Sequence, residues 1–266
     1  MKDIEHGSFQ GTSWSKEGSG SPVILVHGLG INRQMWQWQI ESLSPNFSVI
    51  YYDLLGHGES VNPEIPCQLS QFSSQLLTLM DGLNLECCAL VGFSLGGLIV
   101  QEFALNHPEK VNTLVLLNTA HGRTKSERKE VLSRVQQAEE HGPASTAEAA
   151  LERWFSIEFS ANNPEIMDKI RSWIKANDKY IYPKIYRLLA ECDESLKDSI
   201  SDIRCPTLVM TGEDDRGNSP EMSHRMAALI PNARAEIIPG LKHMGLVENP
   251  EAFNSRIVSF FQEVFR

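Results

Sequence analysis

The chain has 266 residues, of which 41% are hydrophobic and 22% charged, and its formal net charge at pH 7 is −10. These proportions are typical of a globular protein with a sizeable core, and the length suits one large domain or one domain with an inserted cap. The negative charge disfavours nucleic acid and anionic membranes as partners, because both bind clusters of basic side chains.

No segment approaches the run of about 18 apolar residues that a membrane span needs. The first ten residues, MKDIEHGSFQ, lack the apolar stretch of a signal peptide. The five cysteines show no C-x-x-C spacing, which indicates reduced thiols and not a disulfide framework or a zinc site. We therefore expect a cytoplasmic protein.

Short apolar runs that end in turn residues alternate with segments of helical spacing in the first part of the chain. The runs are residues 22–26, 47–52, 87–91 and 113–117, and the predicted helices are residues 33–43, 69–83 and 95–106. Runs that are apolar on both faces are typical of strands in a buried parallel sheet. The alternation predicts an α/β fold with right-handed crossovers.

From residue 121 to residue 201 the strand-like runs disappear, and charged amphipathic segments with helical spacing take their place. Strand-like runs resume at residues 206–210 and 234–238, with a helix at 219–230 between them and a last helix at 250–265. We predict a core made of residues 1–120 and 202–266, interrupted by an all-helical insertion of residues 121–201. That insertion is called the cap segment below.

Residues 92–97 read GFSLGG and lie between a predicted strand and a predicted helix. A G-x-S-x-G turn in that setting holds its serine in strained backbone, so the flanking positions must be small. The N-terminus of the helix directs free N–H groups and a positive dipole end at the serine, which favours an oxyanion there. Ser94 is therefore the candidate nucleophile.

A serine hydroxyl is a weak nucleophile and needs a base, which in turn needs an orienting group. His243 follows the predicted strand 234–238, at the end of the sheet where catalytic residues of α/β folds gather. His27 and His57 also follow strands, but their HG and GHG settings indicate ring hydrogen bonds that brace turns. We predict His243 as the base.

The orienting acid is expected in the loop after strand 206–210, which offers Glu213, Asp214 and Asp215. The end of strand 113–117 offers Asn118, which cannot carry the charge.

An oxyanion hole needs two backbone donors. Leu95, directly after the serine, supplies one, and Leu29 in the HGLG loop supplies the other, unless that loop is only a tight turn.

These stretches resemble the α/β-hydrolase superfamily, and the resemblance covers nearly all of the chain. The matching stretches are HGLG at 27–30, D-x-x-G-H-G-x-S at 53–60, GFSLGG at 92–97, GEDD at 212–215, and His243 followed by ENPEAF at 248–253. Within the superfamily the chain is most similar to the branch of 3-oxoadipate enol-lactonases and related esterases. The stretches that carry this closer likeness are LNTA at 117–120, LERWF at 151–155 and CPTLV at 205–209.

The resemblance implies the α/β-hydrolase fold, a mostly parallel central sheet flanked by helices with the helical cap inserted. It identifies Asp215, three residues after Gly212, as the acid. It implies a serine hydrolase that cleaves an ester or lactone of a small molecule through an acyl-enzyme on Ser94, without a metal or organic cofactor. The chain departs from the lactonases at 216–217 and 244–246, so the hydrolase chemistry carries over better than the lactone substrate.

We expect the cap segment to cover the serine and shape the substrate pocket. The candidate pocket walls are Met35, Trp36, Trp154, Phe155 and Leu246. A local basic cluster of Arg123, Lys125, Arg128 and Lys129 either attracts a substrate carboxylate or is a solvated helix face.

Two other functions remain open. A carbon–carbon bond hydrolase uses the same triad, and a polar pocket with an anchoring arginine would indicate it. A slowly hydrolysing receptor or binding protein can also use this fold, because fold alone does not fix function. Epoxide hydrolases and haloalkane dehalogenases need a carboxylate at the nucleophile position, so Ser94 excludes both.

Overall fold

The protein is described here by a computed structural model that covers residues 4–265. The strands are β1 (Glu5–Phe9), β2 (Thr12–Glu17), β3 (Ser21–Val26), β4 (Phe47–Tyr52), β5 (Cys88–Phe93), β6 (Val111–Leu117), β7 (Thr207–Gly212) and β8 (Ala233–Ile238). Over the described residues they form one eight-stranded sheet in the order β1-β2-β4-β3-β5-β6-β7-β8. The pairs β1–β2 and β2–β4 are antiparallel, and the other neighbours are parallel. The predicted α/β-hydrolase fold class is confirmed.

The central strands are apolar on both faces because both faces of the sheet are covered. In β3, Ile24 and Val26 pack into one apolar cluster, whereas Val23 and Leu25 pack into a second cluster on the opposite face. All four side chains are fully buried. Burial of one such side chain contributes about 1.5–3 kcal/mol, so the two clusters supply most of the driving force for folding.

The helices are α1 (Gln37–Leu43), α2 (Leu69–Gly82), α3 (Leu95–Asn106), α4 (Lys125–His141), α5 (Ala147–Trp154), α6 (Ile157–Asn162), α7 (Pro164–Lys175), α8 (Tyr182–Glu191), α9 (Asp193–Leu196), α10 (Pro220–Leu229), α11 (Gly245–Glu248) and α12 (Pro250–Val264). Helices α2 and α3 pack into the first cluster, and α1 and α12 pack into the second. No helix of residues 4–265 is both long and apolar enough to cross a bilayer.

The cap segment carries α4 to α9, and its residues form no strand. Its apolar side chains extend both clusters of the core. Val131 and Val135 of α4 belong to the first cluster, and Ile170 and Ile174 of α7 belong to the second. The cap segment therefore packs against both clusters, and a cavity remains between its helices and the carboxyl ends of the central strands.

The N-terminal hairpin of β1 and β2 was not predicted from the sequence. Its residues lack a continuous apolar run, and β1 is largely exposed. The helix predicted over 33–43 also differs, because its first turn, Arg33–Trp36, is a 3-10 helix that precedes α1.

Candidate active site

Ser94 lies between β5 and α3 in the strained backbone that the turn motif predicts. Its φ is +54° and its ψ is −113°, a conformation that non-glycine residues rarely adopt. The backbone N–H of Ser94 donates to the carbonyl oxygen of Leu117 at 2.9 Å, and Thr119 Oγ1 donates to the carbonyl oxygen of Ser94 at 2.7 Å. These bonds to β6 and the residues after it hold the serine in this conformation.

The glycines around Ser94 are required by close backbone packing. A Cβ atom at Gly96 would lie 2.0 Å from the carbonyl oxygen of Val26, and a Cβ at Gly92 would lie 2.5 Å from the carbonyl oxygen of Gly96. Neither position leaves room for a side chain. The absence of side chains lets α3 approach β3 and β5, which places the N-terminus of α3 beside the serine.

His243 and Asp215 are joined by a hydrogen bond of 2.7 Å between Nδ1 and Oδ2. The second carboxylate oxygen, Oδ1, accepts hydrogen bonds from the backbone N–H groups of Gly217 and Asn218 at 3.0 and 3.1 Å. Burial alone would raise the pKa of Asp215, but the charge and hydrogen bond of His243, with bonds from two asparagines, hold that pKa below its usual value. The carboxylate is therefore ionised, and the ring proton of His243 lies on Nδ1.

Asn118 and Asn218 are site residues that the sequence analysis missed. Asn118 Nδ2 donates to Asp215 Oδ2 at 3.0 Å, and Asn218 Nδ2 donates to the carbonyl oxygen of Asn118 at 2.7 Å. From the sequence, Asn118 was excluded as the acid because its side chain cannot carry a charge. Its position at the carboxyl end of β6, next to the strand that carries the acid, is the signal that would have indicated a supporting role.

The ring of His243 is enclosed by aromatic side chains. Its centroid lies 4.9 Å from that of Phe93 and 5.9 Å from that of Trp154. The N–H of Met244 donates to the carbonyl oxygen of Trp154 at 2.9 Å, which ties the histidine loop to the end of α5. Within residues 4–265 no hydrogen bond joins the Ser94 hydroxyl to His243.

The loop of residues 27–30 lies beside the serine. A Cβ at Gly28 would be 3.2 Å from Cβ of Ser94. Among the described residues, the Leu29 N–H donates to no other group, and Leu95 is the first residue of α3, where helical N–H groups have no partner within the helix. Two free backbone donors thus flank the serine.

Two buried histidines brace this loop. His27 Nε2 accepts from the N–H of Leu54 at 3.0 Å, so its Nδ1 carries the proton and donates to the carbonyl oxygen of Gly28 at 2.8 Å. His57 Nε2 accepts from the N–H of Gly30 at 3.0 Å. Burial lowers the pKa of His27 to about 4 and that of His57 to about 3, so both are neutral acceptors at pH 7. This is the bracing role that the HG and GHG settings indicate.

A cavity of about 600 Å³ opens between the cap segment and the strand ends. Ser94, Asp215, His243 and Leu29 all line it. The volume lies within the range of small-molecule sites, about 300–1,000 Å³. Residues 4–265 contain no group of three or more His, Cys, Asp or Glu side chains that could hold a metal ion.

Of the five predicted pocket walls, the structure places Trp154 at the cavity. Met35, Trp36, Phe155 and Leu246 are no more than 1% exposed, and they pack into the second apolar cluster instead of lining the cavity. Apolar character in a loop or helix indicates burial, but it does not distinguish a cavity wall from a filled core.

The predicted basic cluster separates into two parts. Arg123 and Arg128 both form ion pairs with the buried Asp193, at 3.2 and 2.9 Å, whereas Lys125 and Lys129 are exposed. Arg123 also lines the cavity, where its Nη2 donates to Oδ1 of Asn218. Its charge is already matched by Asp193, so Arg123 is not a free cation at the cavity.

The model of the Alpha/beta hydrolase family matches residues 23–256 of the chain. The chain is 30% identical over 264 residues to (E)-2-((N-methylformamido)methylene)succinate hydrolase of Acinetobacter baylyi, covering 98% of each chain. It is 30% identical over 235 residues to 3-oxoadipate enol-lactonase 2 of the same organism, covering 88% of this chain and 86% of the relative. The solved enol-lactonase from Burkholderia xenovorans LB400 superposes with a TM-score of 0.87 at 27% identity, covering 97% of this chain and 100% of that one.

Proposed function

The chain belongs to the alpha/beta hydrolase family, and from that premise we propose that it is a serine hydrolase of small carboxylic esters or lactones. The observation that carries the proposal is the hydrogen-bonded pair of Asp215 and His243 on the cavity that also holds the strained Ser94. Strain at a non-glycine residue is retained where the surrounding structure enforces it for function. The similarity to an enol-lactonase supports the same chemistry.

In the proposed acylation step, Nε2 of His243 takes the proton of the Ser94 hydroxyl while Oγ attacks the carbonyl carbon of the substrate. The N–H groups of Leu29 and Leu95 hold the negative oxygen that develops. Asp215 stabilises the imidazolium and keeps its proton on Nδ1. When the tetrahedral intermediate collapses, the bond to the leaving oxygen breaks, and His243 returns the proton to that oxygen.

The same groups act on water in the second step. His243 takes a proton from water, whose oxygen attacks the acyl carbon, and the Ser94 ester bond breaks with the proton returned to Oγ. An ester yields a carboxylic acid and an alcohol, and a lactone yields one hydroxy acid. From an enol-lactone the product is an enol, which converts to the keto acid. The cap segment covers the cavity, and we propose that it acts as a lid that selects the substrate.

A carbon–carbon bond hydrolase with the same triad is a second candidate. It is favoured by two half-buried arginines of the cap segment, Arg134 and Arg153, which line the cavity. An anchoring arginine in a polar pocket is the feature expected of that chemistry. Product analysis with a vinylogous diketone separates the two candidates, because only a carbon–carbon hydrolase releases a ketone and an acid from it.

The test is hydrolysis of 4-nitrophenyl acetate, butyrate and hexanoate, and of an enol-lactone, by the wild type and by Ser94→Ala. We expect activity in the wild type that falls by about three orders of magnitude or more in the variant. Ser255→Ala, an exposed serine of α12, is the matched control and should behave as the wild type. Equal rates in wild type and Ser94→Ala would refute the mechanism.

A further inference from the structure

Arg134 of α4 and Arg153 of α5 line the cavity from the cap segment, and each has only neutral hydrogen-bond partners. Arg134 Nε donates to the hydroxyl of Tyr186 at 3.0 Å, and Arg153 Nη1 donates to the carbonyl oxygen of Ala149 at 2.6 Å. Within residues 4–265 neither guanidinium forms an ion pair with a carboxylate. Two positive charges therefore face the cavity without a counterion from the described chain.

The pairing of the other arginines in the cap segment makes this absence informative. Each of them has a carboxylate partner, and the pairs are Arg123 and Arg128 with Asp193, Arg171 with Glu148, and Arg187 with Glu139. The chain carries a net charge of −10, so carboxylates are in excess. The two arginines that lack one both point to the same cavity.

Among the described residues, no carboxylate at the cavity forms an ion pair with either arginine. Glu130, Glu152 and Asp214 line the cavity but are exposed to solvent, where their field is screened. Asp215 is hydrogen-bonded to His243. Deeper positions between α4 and α8 hold the neutral Tyr182 and Tyr186, and burial raises the pKa of Tyr182 so that it stays neutral. Glu130, Glu152 and Asp214 are thus exposed, whereas Arg134 and Arg153 are half-buried.

An unpaired charge in a half-buried site is costly, and a second like charge nearby adds to the cost. Burial is the largest influence on the pKa of Arg153 and lowers it. The positive charge of Arg134 acts in the same direction, whereas Tyr186, Tyr182 and Glu152 act against it. A bound anion would favour the charged form of both arginines and so oppose the effects of burial and of mutual repulsion. A guanidinium presents a planar fork of N–H donors that matches the two oxygens of a carboxylate.

We propose that Arg134 and Arg153 form a carboxylate-binding subsite, and that the substrate is an ester or lactone that carries a carboxylate away from the reacting carbonyl. This inference rests on the proposed function for the position of that carbonyl at Ser94. The cavity volume of about 600 Å³ has room for a small acid that reaches from the serine to the cap segment. The arginines bind the substrate and orient it, and they take no part in proton transfer.

The first test compares two esters of equal acyl length, 4-nitrophenyl hydrogen adipate, which is an anion, and neutral 4-nitrophenyl hexanoate. We expect the wild type to favour the anion in kcat/KM by about tenfold or more. Arg134→Gln and Arg153→Gln should each remove most of this preference through a higher KM for the anionic ester. Arg153→Lys should restore part of it, because the charge returns without the planar fork.

The matched control is Arg187→Gln on α8, whose arginine is paired with Glu139 at the surface. It removes the same charge from the same segment and should leave the preference unchanged. Equal kcat/KM for the two esters in the wild type, unaltered by the glutamine variants, would overturn the subsite while leaving the serine mechanism intact.

A binding measurement tests the subsite separately from catalysis. Calorimetric titration of Ser94→Ala with adipate should show binding, and adding Arg134→Gln or Arg153→Gln should weaken that binding by about tenfold or more. Adipate binding that the glutamine variants retain would refute the assignment, and so would an absence of binding. Tight binding of inorganic phosphate in place of adipate would refute the carboxylate preference. Absence of hydrolysis of both esters, with adipate binding intact, would refute the proposed function alone.

Discussion

Asn118 Nδ2 donates a hydrogen bond to Asp215 Oδ2 over 3.0 Å, at the oxygen that also accepts from His243. Asn118 has a φ of +46°, a conformation that asparagine and aspartate tolerate better than most residues. It is an uncharged neighbour that stabilises the charge of the proposed catalytic acid and fixes the direction of its carboxylate.

Asn118→Asp tests this relationship because it exchanges the donor for an acceptor of the same size. Two carboxylates in contact cannot both ionise freely, so the pKa of one rises and the bond to His243 weakens. We expect kcat at pH 7 to fall by about tenfold to a hundredfold with little change in KM. Asn84→Asp is the matched control, since Asn84 also has a positive φ but is exposed. Unchanged kcat in Asn118→Asp would contradict the role.

Gly96→Ala should prevent stable folding, although Gly96 has no unusual backbone conformation. The added methyl group would meet the backbone of β3, with the carbonyl oxygen of Val26 at 2.0 Å. Backbone atoms cannot move aside as a side chain can, so we expect a loss of at least about 3 kcal/mol in the free energy of unfolding. Urea denaturation measures it.

Gly217→Ala provides the comparison, because a Cβ there would meet only Asp215 Oδ1 at 3.6 Å. It should be close to wild type in stability. A Gly96→Ala protein that unfolds within 1 kcal/mol of the wild type, an interval of roughly the size of ordinary surface effects, would show that the packing at the turn can relax.

The sequence predicts the central strands and the turn at Ser94 well, because their buried apolar runs and glycines reflect local requirements. It misses β1 and β2, whose residues lack a continuous apolar run and pair antiparallel at one edge of the sheet. It also misses the link from Asn118 to Asp215, which are 97 positions apart in the chain. Such a contact follows from strand order, and a single sequence does not encode strand order in any local pattern.

The partners of the basic cluster were not predictable for the same reason, because they lie far away in the sequence. Arg123 and Arg128 looked like a solvated helix face or an anion site, yet both are bound to Asp193 from the far end of the cap segment. Conversely, Arg134 follows Glu130 by four positions, the spacing of an ion pair on a solvated helix face, yet it lies at the cavity beside Tyr186. Charge patterns within a helix show which side chains are near each other, but not which of them the rest of the chain covers.

Asp193→Ala should destabilise the cap segment more than loss of a surface carboxylate would. Asp193 is fully buried, and it accepts from both the backbone N–H and the guanidinium of Arg123, whose side chain is 3% exposed. Removing it leaves a buried cation without its partner, which costs about 3–5 kcal/mol. Glu194→Ala is the control, because Glu194 is exposed and pairs only with Arg128. Similar urea midpoints for the two variants would argue against a structural role for this pair.

The two histidines that brace the loop of Leu29 should make stability depend on pH. Burial lowers the pKa of His27 to about 4, and the positive charge of Arg33 acts in the same direction. Burial lowers the pKa of His57 to about 3, with His27 acting in the same direction and Asp53 against it. In the unfolded chain both titrate near pH 6.5. Below that pH the unfolded state binds protons that the folded state does not, so the free energy of unfolding falls as the pH drops from 6.5 towards 4.

The expected slope is up to about 1.4 kcal/mol per pH unit for each histidine in that window. Urea unfolding of the wild type and of His57→Gln at about pH 8, 7, 6, 5 and 4, in steps of roughly one unit that cover the window, measures it. His57→Gln should be less stable at pH 8 but should lose less stability on acidification, because one of the two histidines no longer titrates. His224→Gln, at an exposed position of α10, should keep the slope of the wild type. Equal slopes of the free energy of unfolding against pH in His57→Gln and the wild type would mean that the fold does not hold His57 neutral. The hydrogen bond from Gly30 to His57 would then not stabilise the loop of Leu29.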